Sequence, residues 1–263
     1  MIAGIIRSFG AGWALALRSI QQQIIEHKLG YAWSLMIPVI YAVCYLFIKQ
    51  SLNGSGGNTA HHAFNTFTGM LFLQLWIQTL QEMTDLVRKN RGMLKGLNVG
   101  IEPFVIAVLC EGGISLGIRV AIILVASVFV GNGLPFEFGL WGWLLISGVT
   151  IVVSASALGL LMAPWSALYA DVRKAIRAMT MPMALISPIF YPAVTRTDSP
   201  LFLINQINPL AAPLAVISAA MEGERSIYAV TVIAWLLLST LLLLWAGRVI
   251  YRQVPIVLER MGS

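Results

Sequence analysis

Charge is what this chain has least of. Only 11% of its residues are Asp, Glu, Lys or Arg, while 58% are hydrophobic and the mean hydropathy is +0.82. A soluble domain carries about a quarter charged residues. So few charges cannot cover a water-facing surface, which points to an integral membrane protein. Cysteine is scarcer still: Cys44 and Cys110 both fall inside apolar runs, lack metal-ligand spacing, and read as small buried hydrophobes. No G-x-x-x-x-G-K-S/T run occurs, so the chain has no phosphate loop for ATP. Two of its three histidines, His61 and His62, are adjacent on a Gly-rich loop. That arrangement lacks the i,i+4 geometry of a helical zinc site and has no neighbouring carboxylate, so a solvated loop is the plain reading. No nucleophile or acid–base pair stands out either, and we expect neither catalysis nor a cofactor in this chain. A net charge of +6 would suit nucleic acid only if the cations gathered on a soluble face, and here they flank apolar runs.

What is abundant is long apolar sequence. Covering roughly 30 Å of hydrocarbon takes about 20 residues of helix. Six runs approach or exceed that: Leu29–Ile48, Phe64–Leu80, Pro103–Val130, Leu140–Leu168, Ala178–Val194 and Ile227–Ala246. They are continuous rather than alternating, which excludes a barrel and leaves an all-α fold. Most of the 17 Lys and Arg lie in alternate connections. These are Arg7, Arg18 and Lys28; Arg88, Lys89, Arg91 and Lys95; Arg173, Lys174 and Arg177; and Arg248, Arg252 and Arg260. The positive-inside rule then places both termini in the cytoplasm. Arg7 and Arg18 also interrupt the N-terminal apolar stretch, so no cleavable secretory signal is expected.

Three pieces are not spans. Residues 13–28 place Trp13, Leu17, Ile20, Ile24 and Ile25 at helical spacing, with polar residues between, as in a helix lying in the membrane interface. Residues 82–102 can open as a short helix through Asp85, Leu86 and Asn90 to Leu94, before Gly92, Gly96, Gly100 and Pro103 prevent a long one. The cations there either fix topology beside anionic lipid or hold a cytoplasmic partner. Residues 195–225 are apolar but cut at Asn208-Pro209 and Pro213, which suits two short helices dipping into the outer leaflet. Pro188 and Pro192 break the fifth run in the same way, around Phe190 and Tyr191.

Charge inside a span is a functional candidate by default. Glu111 and Arg119 share the third run, roughly 80° apart around the helix at about 100° per residue. Arg119 either pairs within the bundle or across a subunit interface, or it faces a polar pathway and meets an anionic substrate. Tyr41 and Tyr45 stand four apart in the first run, and Phe190 and Tyr191 close the fifth. Such rings suit the C–H faces of sugars and their hydroxyls; the alternative is an aromatic belt and helix packing.

Several short motifs occur in order: Leu29-Gly30-Tyr31-Ala32-Trp33 running into Pro38, Asn90 before Leu94-Lys95, and Asp171-Val172-Arg173 before Ser187-Pro188-Ile189 and Tyr191-Pro192. Asn208-Pro209-Leu210 then precedes the last run. With six spans, this arrangement resembles the permease subunit of ABC-2 type polysaccharide exporters, which serve capsule, O-antigen and teichoic acid export. The capsule branch looks nearest. Many relatives carry an aromatic–proline pair after the Lys95 position, where this chain has Gly96-Leu97-Asn98.

The resemblance implies a single transmembrane domain over 1–263 in the bacterial inner membrane, working as a homodimer. Two copies of a separate cytosolic ATPase, carrying ATP and Mg, would dock on Asp85, Leu86, Arg88, Lys89, Asn90, Leu94 and Lys95. The cargo would be a lipid-linked polysaccharide, passing Tyr41, Tyr45, Phe190, Tyr191 and Arg119. Pro188, Pro192, Asn208 and Pro209 would shape an outer gate. Periplasmic or outer-membrane export proteins would be further partners, with membrane lipids around the bundle. A drug- or lipid-exporting ABC-2 permease is the alternative within transport. A membrane-embedded lipid-modifying enzyme is the alternative outside it.

Overall fold

The computed structural model describes residues 2–26, 59–96, 100–129, 138–191, 199–221 and 226–260, together with 36, 38–41, 43, 44 and 47. Every regular element among them is an α-helix. In chain order these are α1 (Ile2–Glu26), α2 (Thr59–Thr84), α3 (Leu86–Lys89), α4 (Arg91–Gly96), α5 (Glu102–Phe129) and α6 (Phe138–Leu168). They continue with α7 (Asp171–Ala178), α8 (Thr180–Ile186), α9 (Pro200–Ile207), α10 (Ala211–Met221) and α11 (Ala229–Arg260). The described positions of the first apolar run are also helical.

Helix α6 is the centre, packed against α2, α5, α10 and α11. Its sequence explains how so many neighbours fit. Ser147, Thr150, Ser154, Ala155, Ser156, Ala157 and Ala163 are all buried, and small side chains let helix backbones approach in a membrane. A Cβ on Gly159 would lie 2.8 Å from both the Leu80 carbonyl oxygen and the Met83 Cβ, so α2 and α6 touch backbone to side chain there. Two of these hydroxyls bond within the helix: Thr150 donates to the Ile146 carbonyl at 2.8 Å and Ser154 to the Ile151 carbonyl at 3.1 Å.

Among the described residues three helices are long and apolar enough to cross a membrane: Glu102–Ser127, Trp141–Leu168 and Ala229–Arg260. They correspond to the third, fourth and sixth runs. A fourth crossing exists if Pro200–Ile207 and Ala211–Ala220, bent by 101° against each other, count as one broken span. Most of the first run lies outside the described residues. The second run is a 26-residue helix, longer than its apolar stretch suggests. It carries Asn65, Thr66, Thr68, Gln74, Gln78 and Thr79 among its apolar residues, and is buried from Met70 to Trp76 save Gln74. Two of these polar side chains bond to other elements, Thr66 to the Ile189 carbonyl and Gln78 to Arg119.

The fifth run, read as Ala178–Val194, is not one helix. Helical hydrogen bonds pass through the turn at Met179, from its amide to Ala175 and from the Met183 amide to Met179, each 3.0 Å. The helix then stops at Ile186, and Ser187 is extended (φ −85°, ψ 148°). Pro182 cannot donate to Ala178, four residues back, which separates α7 from α8. Pro188 favours the extended backbone of Ser187. Pro192 lies outside the described residues.

Helix α1 begins well before the interfacial segment read from sequence, and it packs along α5. Its contact is a seam of small residues. A Cβ on Gly12 would come within 2.7 Å of Ile106 and 2.8 Å of the Pro103 carbonyl oxygen. Ala16 is fully buried, while Phe9, Trp13 and Leu17 are exposed. The helix therefore docks by its small residues and turns Phe9, Trp13 and Leu17 away from the bundle.

Candidate functional site

At one end of the bundle, Asp85 gathers three elements. Its Oδ1 lies 3.6 Å from Arg88 Nε, 3.6 Å from Arg173 Nε of α7, and accepts a 3.3 Å hydrogen bond from the Ser166 hydroxyl of α6. Asp85 sits where α2 ends and α3 begins, so one carboxylate ties α2–α3 to α6 and α7. A small recess lined by Gln81, Thr84, Asp85, Arg173, Ile176 and Arg177 opens beside it.

Not all of the 85–95 segment is available to a partner. Leu86, Val87 and Leu94 are buried in a second core cluster with Met83, Phe104, Leu160, Ile250 and Leu258. Asn90 donates its amide to the Leu86 carbonyl at 2.9 Å, capping the turn. What faces outward is Arg88, Lys89, Gly92, Met93 and Lys95. Leu86 and Leu94 therefore position the segment, and the cations are its surface.

Arg119 is buried at 5% exposure between α5 and α2. Its guanidinium donates to the Leu71 carbonyl (3.0 Å), the Ser115 carbonyl (3.3 Å) and Gln78 Oε1 (3.2 Å). Gln78 in turn donates to Glu82 Oε1 at 3.1 Å. Glu111, also buried, meets Glu82 and the Ser19 hydroxyl of α1. The two intramembrane charges read from sequence thus belong to one network that joins α1, α2 and α5.

At the other end, the broken α8 meets the bent pair α9–α10. Asn208 Nδ2 donates to the Ser187 hydroxyl at 3.1 Å, and Asn208 Oδ1 accepts the Leu210 amide at 3.0 Å. This brings Ser187-Pro188 and Asn208-Pro209 together, two breaks 21 residues apart. The Thr66 hydroxyl of α2 donates to the Ile189 carbonyl at 3.3 Å, fixing the bend to the bundle. Helix α9 is also held to α11: Trp235 Nε1 donates to the Gln206 carbonyl at 2.9 Å and the Thr231 hydroxyl to Gln206 Oε1 at 3.3 Å. The Tyr191 hydroxyl donates to the Ile186 carbonyl.

The family model for the ABC-2 type transporter matches residues 11–221. The chain belongs to that family. It is a transmembrane subunit of an ABC transporter, and it works with an ABC ATPase. No curated protein matches it.

Within this ABC-2 subunit, the residues proposed for the conduit are scattered unevenly. Tyr41 and Phe190 both pack, partly buried, against the largest core cluster, whereas Arg119 is held inside the α2–α5 contact. Tyr45 lies outside the described residues. The sequence reading passed over Asp85 as a hub, Gln78 and Glu82 as partners of Arg119, and Asn205 and Tyr228 near the bend. The run Leu201–Leu210 did carry a signal, since Asn205, Gln206 and Asn208 are an unusual density of amides in an apolar stretch.

Proposed function

We propose that this ABC-2 subunit exports a lipid-linked polysaccharide of capsular or O-antigen type across the bacterial inner membrane, as a homodimer with two ATPase copies. The observation that carries the reading is the chemistry of the bend. Hydroxyls and amides from Ser187, Tyr191, Asn205, Asn208 and Tyr228 gather there beside Phe190 and Phe202, and none of these described residues carries a formal charge. Neutral hydrogen-bonding groups and ring faces suit sugars; a site for anionic or cationic drugs calls for countercharge.

In this reading the Asp85 end is cytoplasmic and the exposed Arg88, Lys89 and Lys95 form the ATPase contact. The Asp85–Arg173 tie passes ATPase movement from α3 to α7 and so to the broken α8. Exposed apolar residues on α11, such as Val230, Leu237, Leu241 and Leu244, face lipid or the second subunit.

The test is reconstitution of the subunit with its ATPase in lipid vesicles. A lipid-linked polysaccharide should stimulate ATP hydrolysis and become accessible to a glycosidase on the far side. Stimulation by amphipathic drugs or simple lipids alone favours a drug or lipid exporter instead. Charge reversal of Arg88→Glu with Lys89→Glu should abolish ATPase co-purification while leaving the subunit in the membrane; normal co-purification removes the docking assignment.

A further inference from the structure

Helix α9 is built inside out. Leu203 and Ile207 are exposed at 63% and 65%, while Asn205, about 160° around the helix from both, is buried at 1%; Leu201 and Ile204 are exposed as well. An eight-residue helix that turns its leucines and isoleucines outward and an amide inward is suited to a lipid-facing position over a polar interior.

That amide is also loosely held. Among the described residues neither its oxygen nor its nitrogen closes a hydrogen bond of standard geometry. Its hydrogen-bonding neighbours are the hydroxyls of Tyr191, beyond the end of α8, and Tyr228, just before α11, and it meets both in poor alignment. The Tyr191 hydroxyl spends its proton on the Ile186 carbonyl instead. A buried amide wholly without hydrogen bonds costs about 1–3 kcal/mol; poorly aligned contacts recover only part of that, and a leucine of similar size would avoid it. The arrangement is explained if the amide is satisfied by something that comes and goes.

We propose that Tyr191, Asn205 and Tyr228 form a hydroxyl-binding site that opens when α9 moves away from α8 and α11, and that takes hydroxyl groups of the translocating chain. The proposal rests on the polysaccharide reading above. The chemistry is matched. The Asn205 amide offers two donors and an acceptor, the Tyr228 phenol is donor and acceptor, the Tyr191 oxygen still accepts, and a sugar hydroxyl can give and receive at once. The Tyr228 ring, with Phe202 at 5.8 Å between centroids and tilted by 46°, adds an apolar face for the C–H side of a sugar. Because α9 is bound to its neighbours by neutral bonds through Asn208, Gln206 and Trp235, it can part from them without separating buried charges.

The experiment uses the full subunit with its ATPase in vesicles and a lipid-linked polysaccharide as probe. Asn205→Leu should keep or raise the melting temperature and lower polymer moved per ATP by about fivefold, the worth of roughly one hydrogen bond. Tyr191→Phe, which removes only a hydroxyl, should lower it in the same direction with the melting temperature unchanged. Export equal to that of the unmodified complex in both variants overturns the site. So does export that falls only in step with a falling melting temperature. An unmodified complex that moves no polysaccharide overturns the substrate reading itself, and the site with it.

Discussion

Arg119 and Asn205 are both buried polar side chains in an apolar protein, yet the fold treats them in opposite ways. Three acceptors surround the Arg119 guanidinium, and one of them, Gln78, hands on a further bond to Glu82. The Asn205 amide closes none of standard geometry. A charge in a low-dielectric interior is prohibitively costly unless fully paired, so the Arg119 network must be complete and, once complete, is rigid. A neutral amide left short costs much less. The difference separates a fixed part of the molecule from a part that can move: α1, α2 and α5 are locked by charge, while α8, α9 and the start of α11 meet through neutral groups.

The largest effect is expected where the charge is removed from the locked part. Arg119→Leu deletes three hydrogen bonds to a cation and leaves Gln78 Oε1 without its donor inside the bundle. The loss should be about 3 kcal/mol or more, seen as a sharp fall in melting temperature and in the amount of folded subunit recovered from membranes. Arg119→Lys, which keeps the charge but not the planar fork that reaches Leu71, Ser115 and Gln78 together, should fall between. A normal melting temperature for Arg119→Leu would show that the network is not a lock, and the contrast with Asn205 would collapse.

The two regions were also unequally legible. Long continuous runs announce helices by themselves, so the third, fourth and sixth crossings could be read directly, as could the break at Asn208-Pro209, where the structure bends by 101°. Arg119 could be recognised as unusual, but its partners Leu71 and Gln78 stand 48 and 41 residues away, and no local pattern selects them. In the fifth run Pro188 was legible as a break, whereas Pro182, which separates α7 from α8, sits early enough in α8 to look harmless. Asn205 was visible as an amide in an apolar stretch. Which face of an eight-residue helix turns inward, however, is decided by packing against α8 and α11 and not by the helix's own period.

An intermediate effect is expected at Asn208, which belongs to the neutral region but is satisfied. Asn208→Ala removes the donor to the Ser187 hydroxyl and the acceptor of the Leu210 amide. Two neutral bonds at a buried turn are together worth about 1–2 kcal/mol. Asn208→Asp keeps an acceptor for Leu210 and should recover part of the loss. The measurement is melting temperature beside protease sensitivity in the connection ahead of α9. Stability should drop modestly and cleavage should increase there, without affecting α1–α5. An effect as large as that of Arg119→Leu would mean that the bend is as rigid as the charged network.

The smallest effect is expected at Thr231, and its smallness is informative. The Thr231 hydroxyl reaches Gln206 Oε1 at 3.3 Å, near the long limit for such a bond, and the Gln206 backbone keeps its shorter 2.9 Å tie to Trp235 when that hydroxyl is gone. Thr231→Val conserves shape and removes only the hydroxyl, so the melting temperature should shift within the error of the measurement, equivalent to about 0.5 kcal/mol or less. If α9 is poised to part from α11, weakening this contact should instead appear as motion. Hydrogen exchange at the amides of α9 should quicken while those of α5 and α6 stay protected. Unchanged exchange along α9 would mean that Trp235 alone holds it, and would move the flexible joint from the α9–α11 contact to the α8–α9 contact at Ser187 and Asn208.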